Sequence, residues 1–379
     1  MEIAAKDGIE CLVAYGREKA PEKYKDRSVL ISSKAGVYSH ALLARLFDMS
    51  GFGSACATRS FLKKLDSYSP DVVHLHNLHG YYVNVPLLFK HLKKRNIPVI
   101  MTLHDCWTFT GHCSHFDSIS CMRWKDGQCH SCPQKNEYPK SFIDRSRKNF
   151  EKKRACFTML DDLTVITPSE WLASLARESF LGKYPVKVIN NGIDLDVFTP
   201  CESDLRRKYS LEGKKIALGV ASVWNDKKGF SDFIELSKLL SDEWTIVLVG
   251  VSEEQQRTLP ENMIGITRTN STRELAEWYS TSDVFLNLTY EDTFPTVNIE
   301  AQACGTPVIT YSSGGSPESV LDGITGISVS KKSPDEIARV ISSVKKDSVA
   351  CVENAKNYDK WKQFEKYVEE YKKANAKGN

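Results

Sequence analysis

Short runs of aliphatic and β-branched residues alternate along the chain with stretches whose apolar positions recur every three or four residues. The runs 9–15, 29–32, 72–76, 99–104, 163–167 and 186–190 have strand length, and a second series follows at 216–222, 245–250, 263–268, 284–288 and 308–311. Segments 85–95, 169–180 and 230–240 have helical spacing. Strands that alternate with helices predict parallel sheets covered on both faces, and the near-continuous apolar character of the runs agrees. The stretch 190–203 carries Gly, Asp and Pro and breaks the periodicity, so it reads as a boundary. At the end, Tyr358, Trp361, Phe364, Tyr367, Val368 and Tyr371 fall on one face of an amphipathic helix that must pack on something. The expected fold class is α/β: an N-terminal domain 1–198, a C-terminal domain 199–355 and a helix 356–379 packing back across both.

A length of 379 residues suits two domains of ordinary size. With 41% apolar and 26% charged residues the chain is neither collagen-like nor broadly disordered. Its 51 basic against 48 acidic residues leave +3, which gives no general case for binding nucleic acid. No apolar run approaches the ~18 residues of a membrane span. The opening MEIAAKDGIE lacks a basic segment followed by an apolar one, so no signal peptide is expected. Eleven cysteines in a long chain without such a signal read as thiols or metal ligands in a reducing cytoplasm.

The richest chemistry lies in YEDTFPTVNIEAQACGTPVITYSSGGSPE, residues 290–318. Asp292 and Glu300 are separated by seven residues. Pro295, after Phe294, suits the first turn of a helix whose N-terminal amides, on Thr296 and Val297, offer a seat for a phosphate. Glu300 is then placed for ribose hydroxyls and Asp292 for those of a sugar. Upstream, VASVWNDKKGF (220–230) runs from a strand into a turn with Lys227 and Lys228, cations suited to a diphosphate leaving group.

The acid–seven–acid spacing, the following AxxxGxPV run and the GGxPE run resemble the donor-site signature of retaining, nucleotide-sugar-dependent glycosyltransferases of family 4. The runs HLHNLHGYY, TLHDCW, TGHC, FLGKYPVKVINNGID and YEDTFPT resemble, more narrowly, bacterial polysaccharide enzymes of the colanic-acid type. The resemblance implies the GT-B fold, two Rossmann-like domains facing each other across a cleft. It implies catalytic roles for His104, Lys228, Asp292 and Glu300, with donor contacts from Ser222, Lys227, Glu291, Phe294, Pro295, Thr296 and Val297. Asn77, His79 and Asp105, at strand ends of the first domain, are the acceptor-side candidates, while His74, inside its strand, reads as a core histidine.

Three departures from the family pattern stand out. The family's first acid is normally Glu, whereas here Asp292 follows Glu291, so either of the two faces the sugar. Ser222 stands where the family usually has Arg, and Lys227 is the candidate substitute. The family also opens with a strand and a glycine-rich loop, whereas this sequence opens on what resembles the end of the first helix. The expectation is a truncated first domain of poor stability and low activity.

Cys113, Cys121, Cys129 and Cys132 lie within twenty residues, in an insertion spanning 107–139. They either hold a structural zinc or stand as unligated thiols, with a disulfide as a third alternative. Catalysis itself is expected to need no metal or other cofactor. The run RSRKNFEKKR (145–154), near Phe142 and Ile143 and containing Phe150, either rests on an anionic membrane at its inner, cytoplasmic face or is a solvated helix face. The resulting expectation is a glycosyltransferase that takes a nucleotide-diphosphate sugar and a glycan acceptor, lipid-linked in the fuller reading, in cell-surface polysaccharide assembly. No nucleic-acid partner is expected. The alternative is a truncated, non-catalytic nucleotide-sugar-binding paralogue.

Overall fold

The computed structural model describes residues 1–17, 19–330 and 332–378, with side chains to 376. It forms two compact units, Met1–Ile189 with the chain from Phe364 on, and Asn190–Gln363.

In the first unit the strands are β1 (Val13–Tyr15), β2 (Ser28–Leu30), β3 (Val73–His76), β4 (Val99–Thr102), β5 (Leu163–Thr167) and β6 (Val186–Val188). The last four form one parallel sheet in the order β3-β4-β5-β6, while β1 and β2 pair only with each other. Each strand alternates its side chains between faces. Val99, Met101, Leu163 and Val165 enter the main core with Phe89, Trp107, Phe109 and Phe157. Ile100, Ile166 and Ile189 point the other way and meet Ala374, Tyr367 and Tyr371 of the terminal helix Lys360–Gly378. That apolar seam is what the tail's periodicity required.

The helix Val85–Arg95 shows how locally the chain specifies its elements. Asn84 caps it by accepting the Leu87 amide at 3.1 Å, Pro86 sits in the first turn, and Asn96 closes it in the left-handed region. Lys93, Lys94 and Arg95 crowd its last turn, where the dipole favours cations.

The second unit contains β7 (Lys215–Val220), β8 (Trp244–Val249), β9 (Met263–Ile266), β10 (Val284–Asn287), β11 (Val308–Tyr311) and β12 (Gly326–Val329). They form a parallel sheet in the order β12-β11-β10-β7-β8-β9. Strand order reverses between β7 and β10, the place where open α/β sheets bind ligands at their carboxyl ends. One face packs on Phe233, Leu236 and Ile337, the other on Trp278, Tyr279 and Ala301.

Several expectations are corrected here. The run 9–15 is strand only from Val13, and β12 was not anticipated because Gly326 and the polar Ser328 weaken its pattern. The first compact unit runs to Ile189 before the chain crosses to the second. Ile193 bridges to Asp359 and packs with Phe294 and Ile299, so the connecting segment belongs to the second unit. The stretch 356–379 is divided between the units, the part from Phe364 on belonging to the first. In the basic helix Ser146–Phe157, Phe150 and Lys153 are buried, so neither belongs to a membrane-facing surface.

Phe89 is fully buried and meets Phe157 edge-on at 4.9 Å. Phe89→Ala is expected to cost about 3–5 kcal/mol of first-unit stability, measured by denaturant unfolding. A loss below about 1 kcal/mol would mean that this face is not the packed core described.

Candidate functional site

The second unit gathers the acids and lysines at the switch point. Asn225 caps a short turn, Asp226–Lys228, by accepting the Lys228 amide at 3.1 Å. Gly229 follows with φ +76°, and a Cβ there would stand 2.5 Å from the Leu288 carbonyl oxygen. Only glycine lets the two loops approach so closely. The Tyr290 amide donates to the Lys227 carbonyl at 2.8 Å, joining the loops after β7 and β10. Two ion pairs complete the junction: Lys227 with Glu291 at 3.0 Å and Lys228 with Asp292 at 3.1 Å.

Asp292 is held on several sides. Its Oδ2 accepts from Lys228, its Oδ1 from the Phe294 amide at 3.2 Å, and its carbonyl from the Gly315 amide at 3.1 Å. Gly314 passes so near that a Cβ would fall 1.9 Å from that carbonyl oxygen. The GGxPE run thus clasps the loop that carries the first acid.

Pro295 is the N-cap of the helix Thr296–Ala303, one position earlier than its expected place in the first turn. Glu300, one turn into that helix, accepts the Tyr279 hydroxyl at 3.0 Å. The protein packed around Glu300 pushes its carboxyl pKa up, against the hydrogen bonds from Tyr279 and Thr296. Tyr279 is itself fully buried, and burial raises its phenol further still. Behind the loops, Asp232 accepts both the Tyr290 and the Tyr311 hydroxyls at 2.8 Å, tying the Tyr290 segment to β11. Ser222 is exposed and Phe294 buried, while Thr296 and Val297 are partly exposed at the helix start.

In the first unit, His104 follows β4. Its Nε2 lies 2.9 Å from Nδ1 of His76, whose ring stacks on it. Burial lowers the pKa of His104, so the ring is neutral near pH 7. His79 and Asp105, expected separately, form a pair at 3.2 Å. His79 is buried against Trp107 and Tyr138, so its imidazole serves the interior more than an acceptor. Asn77 is exposed, with φ +41°. His74 bonds Thr102 at 2.8 Å and the Tyr371 hydroxyl at 2.7 Å, the core role read for it.

Sequence reading missed His76, Tyr279 and Asp232. His76 was accessible to it, because the alternation in HLH places His74 and His76 on one face of β3. Nothing local marks Tyr279 or Asp232. The four expected cysteines line one cavity, although among the described residues no group of three or more His, Cys, Asp or Glu forms a ready metal-binding set.

This fold and site define a GT-B glycosyltransferase. The profile described as Glycosyltransferase Family 4 matches residues 4–197, and that of Glycosyl transferases group 1 matches residues 202–365. The chain belongs to glycosyltransferase family 4. It is 27% identical over 325 residues to the "Putative colanic acid biosynthesis glycosyl transferase WcaC" of Escherichia coli K12, covering 84% of this chain and 78% of that protein. An "Uncharacterized 41.2 kDa protein in cps region" of Klebsiella pneumoniae is 25% identical, with 86% of each chain covered. Among solved structures, a glycosyltransferase from Rickettsia africae superposes with a TM-score of 0.67 at 16% identity, covering 98% of this chain and 93% of that one. Anabaena Alr3699/HepE in complex with UDP gives 0.67 at 16%, covering 96% and 100%.

The raised Glu300 pKa carries a sign. A carboxyl titrating higher in the folded state than its ordinary 4.5 contributes stability below that value and loses it as pH rises through the folded value. Glu300→Gln is therefore expected to flatten the decline in melting temperature as pH rises from 4.5, and not to lower it at pH 7. Its kcat/KM should fall about 10- to 100-fold, the worth of a charged hydrogen bond to substrate. Melts across pH beside initial rates check both; a variant less stable at pH 7 yet fully active would refute the assignment.

Proposed function

We propose that this protein transfers a sugar, with retention, from a nucleotide-diphosphate donor to a glycan acceptor in the assembly of a cell-surface polysaccharide. The observation that carries this reading is the paired-charge junction at the switch point, with Lys228 and Asp292 beside the start of the helix Thr296–Ala303. Donor diphosphate would draw Lys227 and Lys228 from their carboxylate partners. The helix start adds backbone dipole to the same developing charge. Asp292 would then hold hydroxyls of the sugar and Glu300 those of the ribose. His104 is the first unit's candidate for a sugar hydroxyl.

Acceptor oxygen attacks the anomeric carbon from the face the diphosphate leaves. The new C–O bond forms as the bond to the phosphate oxygen breaks, and the leaving phosphate oxygen takes the acceptor's proton. Every group named here belongs to this chain or to its substrates. The UDP and UDP-glucose complexes of the Anabaena protein support a nucleotide-sugar donor. The name of the Escherichia coli relative and the cps location of the Klebsiella one support a polysaccharide product.

A panel of UDP, GDP, ADP and their sugar conjugates tests the donor by thermal shift, because a ligand of the folded state alone raises the melting temperature. One base should shift the wild type, and Lys228→Ala should abolish most of that shift and lower kcat/KM about 100-fold or more. Cooperative melting with no shift from any nucleotide would instead favour the non-catalytic paralogue.

A lipid-linked acceptor at an anionic bilayer is part of this reading. Phe142 is 60% and Ile143 42% exposed, and the Arg45 guanidinium lies 4.6 Å from the Phe142 ring centroid. Co-sedimentation with phosphatidylglycerol vesicles at low salt should pellet the protein, and less so at high salt. A protein that stays in the supernatant at low salt would remove the membrane from the reading.

A further inference from the structure

A second chemical centre lies in the first unit, within the insertion after β4. Cys113, Cys121, Cys129 and Cys132 line one cavity of about 20 Å³, room for a single atom-sized guest. Cys129 Sγ accepts the Gly111 amide at 3.3 Å.

Two further groups show that the cavity is prepared for charge. His112 lines it and is completely buried; its Nδ1 bonds Asp48 at 2.7 Å, while its Nε2 has no hydrogen-bond partner among the described residues. A carboxylate behind an imidazole whose other nitrogen is unmatched is the arrangement found around bound metals. Lys153, on the helix Ser146–Phe157, is also buried; its ammonium donates to the Trp107 carbonyl at 2.6 Å and lies 3.8 Å from the Trp107 ring centroid. Asp48 and Asp105 are the carboxylates whose charge reaches it. A buried cation needs an anion, and four thiolates around a divalent ion carry a net charge of −2.

We propose that this cavity is a structural zinc centre, ligated by the thiolates of Cys113, Cys121, Cys129 and Cys132, with Lys153 as its counter-charge and His112 in contact with its sulfurs. In the conformation described, no three of these side chains form a set ready to hold an ion, so binding requires the thiols to close on it. Four thiolates close the coordination shell, so the metal staples the insertion and takes no part in sugar transfer. The insertion contains only short 3-10 turns, Trp107–Phe109 and Asp117–Ile119, and so has little regular structure of its own to hold it.

The test is metal analysis of the full chain, expressed with added zinc, purified reduced and without chelator, then desalted. About one zinc per chain is expected, falling below about 0.2 in Cys132→Ser and unchanged in the control Cys201→Ser. Should Cys132→Ser fail to fold, cobalt exchange into the wild type decides: a tetrahedral visible spectrum with a thiolate charge-transfer band is expected. Zinc below about 0.1 per chain with no cobalt spectrum overturns the proposal. So does a metal-free protein whose mass is lower by two hydrogens per disulfide formed among these cysteines.

Discussion

Everything at the carboxyl edge of the second unit depends on how closely the loops after β7 and β10 meet. Gly229 permits that contact, since any side chain there would collide with the Leu288 carbonyl. The Tyr290 amide fastens the two backbones, and the pairs Lys227–Glu291 and Lys228–Asp292 close them. The pairs also have a chemical consequence. They hold two cations and two anions in a partly buried place, each neutralised by a partner that a donor can displace. In the proposed function a diphosphate would compete for the lysines and the sugar hydroxyls for the freed carboxylates.

Glu300 represents the opposite economy. Its carboxyl is packed against the Tyr279 hydroxyl, where ionisation is disfavoured. A carboxyl shifted by burial in this way is common at functional positions, and the proposed function gives it the ribose hydroxyls. Asp232 works at one remove. By accepting two tyrosine hydroxyls it holds the Tyr290 segment against β11, and so sets where Glu291 and Asp292 begin.

The first unit divides its labour differently. One sheet face builds a large aromatic core continuous with the cysteine-bearing insertion. The other face meets the terminal helix, through Ile100 and Ile166 against Tyr367, Tyr371 and Ala374. His74 touches Thr102 and Tyr371, and His76 touches His104. The His104 imidazole, the expected sugar contact, is therefore braced by a histidine of the neighbouring strand.

Local patterns determined a good deal of this. Apolar runs located most strands, helical spacing located the segments 85–95, 169–180 and 230–240, and the tail's spacing identified a packing helix. The acids, lysines and Gly-Gly run of the donor site were legible because their chemistry is carried by contiguous segments. Boundaries were less so: β12 and the true reach of β1 lie in runs where polar residues and glycine dilute the signal. Contacts between distant segments were out of reach. Tyr279 beneath Glu300, Asp232 behind Tyr290, the joining of His79 to Asp105 and Lys153 beside the thiols are separated in sequence by 21 residues or more. Periodicity reports only which face a residue shows its own element. Which partner waits across that face, and so which charge is neutralised or which pKa moves, is decided by how the sheets order their strands and how the loops close over them.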